Sequence, residues 1–123
     1  MTDTPITQTL ADALGQLVGH VLSSVEFVAD YLQLWFDGPC LTAYTPPAIT
    51  WESRSLSLGQ PDYRDSLCKQ IGCRVERTEV DDLCVSIVFD NGAVVSISRR
   101  DDDYRGPEAL EFWLDQKDRI WVV

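Results

Sequence analysis

From Leu32 to Phe36, and again from Val85 to Phe89, apolar and other side chains alternate with a period of two. Leu32, Leu34 and Phe36 predict one apolar face of an extended segment, and Val85, Ile87 and Phe89 predict the same in another. The first segment runs into the turn FDGPCL and the second into FDNGAVV. Asn91-Gly92 predicts the positive φ angles of a type I′ hairpin. Continued along the chain, the alternation predicts six extended segments, about 20–28, 31–37 and 40–45, then 74–80, 83–90 and 93–99.

A helical period precedes each set of three. Ile6, Leu10, Leu14 and Leu17 form one stripe, with Thr4 as cap, Pro5 in the first turn and Gly19 after the end. In PDYRDSLCKQIG, Tyr63, Leu67 and Ile71 form the stripe and Pro61 opens the helix. Asp62 and Asp65 face its positive end, Lys69 its negative end, and Gly72 takes the left-handed position beyond it.

A shift of 53 residues superimposes the two patterns, and one extra residue in the second turn makes it 54 thereafter. The expected architecture is therefore α+β, an antiparallel sheet with two helices on one face, built from two αβββ-like units in a single domain over 1–123. Unit one spans about 5–45 and unit two about 61–99. Residues 46–60 form a linker, read as a loop with an edge strand because Pro46-Pro47 cannot donate to a central ladder. Over 108–123, EALEFWLDQKDRIWVV reads best as a terminal hairpin, with Leu110, Phe112 and Leu114 on one face and a turn at DQKD. A helix starting at Pro107 is the alternative.

Alternation also places Gln33, Trp35, Thr42, Tyr44, Ser86, Ser96 and Ser98 on the face turned away from the helices. That face is small and polar in the second unit and includes Tyr31, Trp35 and Tyr44 in the first. Aromatic side chains of this kind dominate protein–protein hot spots.

Charge narrows the partners. The chain has 123 residues and a net charge of −10. Residues 1–60 hold six acids and one base, and the remainder fourteen acids and nine bases. A basic stripe, which phosphate binding needs, is missing, so nucleic acid and anionic membranes are not expected partners. A basic partner protein is. The first 19 residues lack the features of a signal peptide, and no apolar run approaches bilayer length. The expected location is the cytoplasm, with Cys40, Cys68, Cys73 and Cys84 as reduced thiols.

Candidate chemistry is sparse. Phosphate loops and a nucleophile elbow are absent from the sequence. The one histidine, His20, reads as a partner of the first helix's last carbonyls. It stands 53 residues before Cys73, at the equivalent position of the other unit, and a pseudo-twofold pairing of the units would let the two meet as a thiolate–imidazole pair. The cysteines lack zinc spacing, and neither a metal nor a cofactor is expected. The run Asp101-Asp102-Asp103-Tyr104-Arg105 is acidic but lacks calcium-loop spacing, and Arg99, Arg100 and Arg105 stand ready to neutralise it. It reads as a solvated turn that can also touch a partner.

The segments VADYLQLWFDGPCLTAYTPP, PDYRDSLCKQIG and DYRGPEALEFW resemble a family of small bacterial cytosolic proteins without an assigned activity, over most of the chain from about Leu17. That resemblance implies no catalytic residues. Size and general character are similar to those of immunity proteins of bacterial toxin systems, by analogy alone. The expected function is a non-catalytic protein-binding domain, an immunity protein or inhibitor in its concrete form. Its expected surface comprises Tyr31, Trp35, Tyr44, Asp101, Asp102, Asp103, Tyr104 and Arg105. A homodimer through the aromatic face, or a small enzyme or ligand-binding protein with a pocket, are the alternatives.

Overall fold

The structure, a computed structural model, describes residues 9–114 and 120–123. Among these residues, two short helices and ten strands make an α+β fold. Helix α1 spans Leu10–Gly15, and its cap is Thr9, whose Oγ1 accepts from the Asp12 N–H at 3.1 Å. The expected cap at Thr4, with Pro5 and Ile6, lies outside the described residues. Helix α2 spans Tyr63–Cys68. Pro61 does not open it; Asp62 holds the cap position with φ 71°, and its carboxylate meets Arg54 at 3.2 Å instead of capping. Tyr63 and Leu67 are buried as the stripe requires, but the helix ends before Ile71, which is 44% exposed.

The expected single sheet is two sheets. One has the order β1 (Ser24–Val28), β2 (Tyr31–Trp35), β3 (Cys40–Ala43), β9 (Leu110–Trp113), β10 (Ile120–Val122). The other runs β5 (Arg54–Leu56), β4 (Ala48–Trp51), β8 (Val94–Ser98), β7 (Cys84–Phe89), β6 (Val75–Val80). Each holds three consecutive strands extended by a pair that follows the other three in sequence. All neighbours are antiparallel.

The region expected to be a linker therefore supplies two strands, and β4 is internal. Pro46 and Pro47 end just before β4 begins, so neither removes a donor from its ladder. The β4–β5 turn has positive φ at Glu52 (53°) and Ser53 (66°), a primed hairpin turn made without glycine or asparagine. The expected type I′ turn at Asn91-Gly92 is not formed, since only Gly92 has positive φ. Phe89 and Ala93 bracket a three-residue loop there, and the Asn91 amide reaches Gln70 Oε1 at 2.8 Å. The two adjacent positive φ angles of the other connection fall at Asp37 and Gly38. Strand β10 pairs antiparallel with β9, and the DQKD turn expected between them lies outside the described residues.

The registers of the two sheets correspond. Gln33 faces Thr42 and Trp35 faces Cys40 in one; Ser86 faces Ser96 and Val88 faces Val94 in the other. The added pairs also correspond: Cys40 faces Trp113, and Val94 faces Thr50. Between the sheets, the segments after the helices meet in an antiparallel bridge at Val21 and Arg74.

One core serves both sheets and both helices. It includes Leu14 and Leu17, Leu32, Leu34 and Phe36, Tyr63 and Leu67, and Val85, Ile87 and Phe89. Helix α1 packs beside β6, and α2 beside β4 of the same sheet and β1 of the other.

Candidate functional site

The face of the first sheet turned away from this core is built in rows. One row reads Ser24, Trp35, Cys40, Trp113, Ile120, and the next reads Glu26, Gln33, Thr42, Glu111, Val122. Strand alternation puts Ser24, Glu26, Gln33, Trp35, Cys40, Thr42, Glu111 and Trp113 on one side, because their neighbours Leu34, Leu41 and Phe112 are in the core. Cys40 and Thr42 form the floor, each 3% exposed, and Gln33, Trp35, Glu111 and Trp113 are half-buried around them. At one end Tyr31 and Tyr44 meet edge to face, centroids 5.8 Å apart. Val122 is 50% exposed and Glu26 is exposed.

Polar contacts hold the aromatic rings in place. Trp35 Nε1 donates to Glu26 Oε1 at 3.2 Å, Tyr44 OH to Glu111 Oε1 at 2.8 Å, and Gln33 Nε2 to Thr42 Oγ1 at 3.1 Å. Trp113 Nε1 is buried without a hydrogen-bond partner among the described residues. The carboxylates also set the electrostatics. Burial pushes the Cys40 thiol up to about 11, against its Thr42 contact, with Glu26 and Glu111 adding to the rise. Burial pushes the Tyr44 phenol up to about 12, reinforced by Glu111 through hydrogen bond and charge and by Glu108. Acids thus flank the patch on both sides, and its thiol and this phenol stay protonated at neutral pH.

The expected site residues divide. Tyr31, Trp35 and Tyr44 lie together on this face. Asp101, Asp102 and Asp103 form an exposed 3-10 turn after β8, at the end of the other sheet. Ser98 Oγ donates to Asp103 Oδ2 at 2.5 Å and accepts from the Arg100 N–H, which ties the turn to its strand. The expected neutralisation by nearby arginines does not occur among the described residues: the guanidinium of Arg99 donates to the Asp81 carbonyl, and Arg100 and Arg105 enter no ion pair. Tyr104 is half-buried. Arg105 lies in a hollow with Asp30, Tyr44 and Glu108, which brings it to the edge of the aromatic patch.

Glu26, Glu111 and Trp113 are the site residues that sequence reasoning missed. The strand reading of 108–116 already separates Glu111 and Trp113 from Leu110 and Phe112; only the pairing of β9 with β3 places them here.

The corresponding face of the second sheet is different. Gln33, Trp35, Cys40, Thr42, Glu111 and Trp113 correspond there to Ser86, Val88, Val94, Ser96, Ala48 and Thr50. Hydroxyl contacts such as Ser86 Oγ to Ser96 Oγ, 3.2 Å, join the strands. A trough of about 610 Å³ along this face includes Arg100, Arg105 and Thr45, whose buried hydroxyl has no partner among the described residues.

The remaining candidates are simpler. His20 pairs through its backbone, donating to Leu17 and accepting from Val75. Cys73 is approached by Asn91 Nδ2 at 3.4 Å, and burial, with Asp90 adding, raises its pKa, which opposes thiolate formation. Cys68, expected near the apolar stripe, is exposed. Among the described residues no helix is long and apolar enough to cross a membrane, and no group of His, Cys, Asp and Glu side chains is arranged to hold a metal ion. Comparison with known proteins finds no matching family model, no matching curated protein and no matching solved structure.

Proposed function

We propose that this chain is a non-catalytic protein-binding domain that holds a basic partner on the aromatic face of its first sheet, in the manner of an immunity protein or inhibitor. One observation supports this most. Matched register positions in the second sheet hold serine, valine, alanine and threonine, so the architecture itself does not demand two tryptophans and a buried thiol there. The large rings on the first face then answer to something outside the fold. Trp and Tyr contribute much contact area at low entropic cost. Glu26, Glu111, Glu108 and Asp30, with a chain charge of −10, favour a cationic surface opposite.

The correspondence of register also supports an internal duplication in which the units exchanged their last two strands. After such a duplication, one outer face was free to acquire a binding role while the other kept small side chains. A reduced, cytoplasmic setting belongs to the same reading.

The test is affinity capture from the source cell with the intact chain as bait, against Glu26→Lys/Glu111→Lys and against a control altered on the other face, Ser96→Lys. The proposal expects one basic protein, retained by the native chain and the control and lost by the double variant. Retention by the double variant, recovery of no protein, or a second copy of the chain as the only occupant contradicts it.

A further inference from the structure

A cavity of about 270 Å³ opens beside the β1–β2 turn, away from the middle of the aromatic face. Phe27, Leu32, Ala43, Pro46 and Leu58 give it an apolar lining. Val28 and Leu58 on its walls are 39% and 42% exposed, among the large apolar side chains left most open to solvent. Asp30, Tyr31, Arg64 and Arg105 complete the lining.

What distinguishes the two arginines is their place on one apolar-walled cavity. Among the described residues, neither Arg64 nor Arg105 enters an ion pair. Arg64 instead sits over the Phe27 ring, 5.0 Å from its centroid, which holds the guanidinium above the apolar lining. An apolar hollow with a small number of convergent polar groups is the usual form of a small-molecule site. Two guanidiniums against the single carboxylate of Asp30 leave it locally positive, and their planar forks suit an oxyanion.

We infer that this cavity binds a small organic monoanion, an apolar body bearing one carboxylate, with Arg64 and Arg105 on the carboxylate and Phe27 and Leu58 against the body. Its volume falls just below the roughly 300–1,000 Å³ of drug-sized sites, which excludes nucleotides and other large phosphorylated ligands. This site is separate from the acidic rows, and its test needs no partner protein.

The test is an amide-shift titration of the intact chain with 4-phenylbutyrate, with 4-phenylbutyramide as the uncharged control. Saturable shifts centred on Ala29, Tyr31 and Arg105 are expected, with the amide binding about tenfold or more weakly. Arg105→Gln, at an exposed side chain without an ion pair, leaves the spectrum folded and weakens the acid about tenfold. Asp30→Asn, which removes the one acid of the cavity lining, tightens it. Absence of saturable shifts, equal binding of acid and amide, or unchanged affinity in the folded Arg105→Gln variant overturns the inference.

Discussion

Val21 and Arg74 face each other across an isolated antiparallel bridge, and the bonds around that pair come in matched sets. Gly19 N–H donates to Val75 O at 2.9 Å, and Gly72 N–H to Leu22 O at 2.8 Å. Leu22 N–H donates to Cys73 O at 3.0 Å, and Val75 N–H to His20 O at 2.9 Å. Residues 53 apart exchange roles in each set, which explains why His20 stands opposite Val75, not Cys73.

Gly19 and Gly72 have φ of 89° and 96°, a region in which a side chain is strained even where space is open, as it is at both. Gly19→Ala and Gly72→Ala should each lower stability by about 1–2 kcal/mol, by matching amounts. Gly15→Ala, in α1 without positive φ, should be neutral or stabilising. Chemical denaturation of the three variants checks this; a large inequality between the first two would show that the junction is not equivalent from its two sides.

The turn at Glu52 and Ser53 stores strain of the same kind, because both residues adopt positive φ without the side chains that favour it. Glu52→Asn/Ser53→Gly should stabilise the fold by about 1–2 kcal/mol, raising the melting temperature. An unchanged or lower melting temperature would mean that the wild-type side chains offset the strain.

Alkaline pH should weaken the fold. Burial pushes the Tyr63 phenol from its ordinary value near 10 up to about 12, with Arg64 opposing; the phenol donates to Pro47 O at 2.6 Å. Cys40 rises from about 9 to about 11. Both folded values are raised, so between pH 9 and 12 the unfolded chain binds fewer protons and stability falls as pH rises. The contribution is fully present below pH 9. A loss of about 3 kcal/mol is expected between about pH 8 and pH 11, and Cys40→Ala should flatten its earlier part. Denaturant midpoints across this range read it directly; a flat profile contradicts the buried placement of both groups.

The strands written by strict alternation were legible. Leu32, Leu34 and Phe36, and Val85, Ile87 and Phe89, point inward as their spacing says. What stayed hidden was nonlocal or disguised. Alternation records which face a residue takes but not which strand lies beside it, so nothing local joined β9 to β3, although Tyr44 and Glu111 are 67 residues apart and hydrogen-bonded. Strand β4 was masked by Pro46-Pro47 at its threshold and by a turn lacking the usual Asn-Gly signal. Ile71 kept the helical spacing beyond the end of its helix, where apolarity alone could not reveal exposure. Tyr31, Trp35 and Tyr44 could be placed on one face from sequence, whereas the carboxylates beside them required the strand order.

The most direct measurement gives the aromatic face the side chains of its counterpart. Trp35→Val/Trp113→Thr installs the residues found at the matched positions, Val88 and Thr50. The account predicts a folded, cooperatively melting protein that no longer captures the basic partner. A variant that fails to fold, or one that folds and still captures that partner, contradicts it.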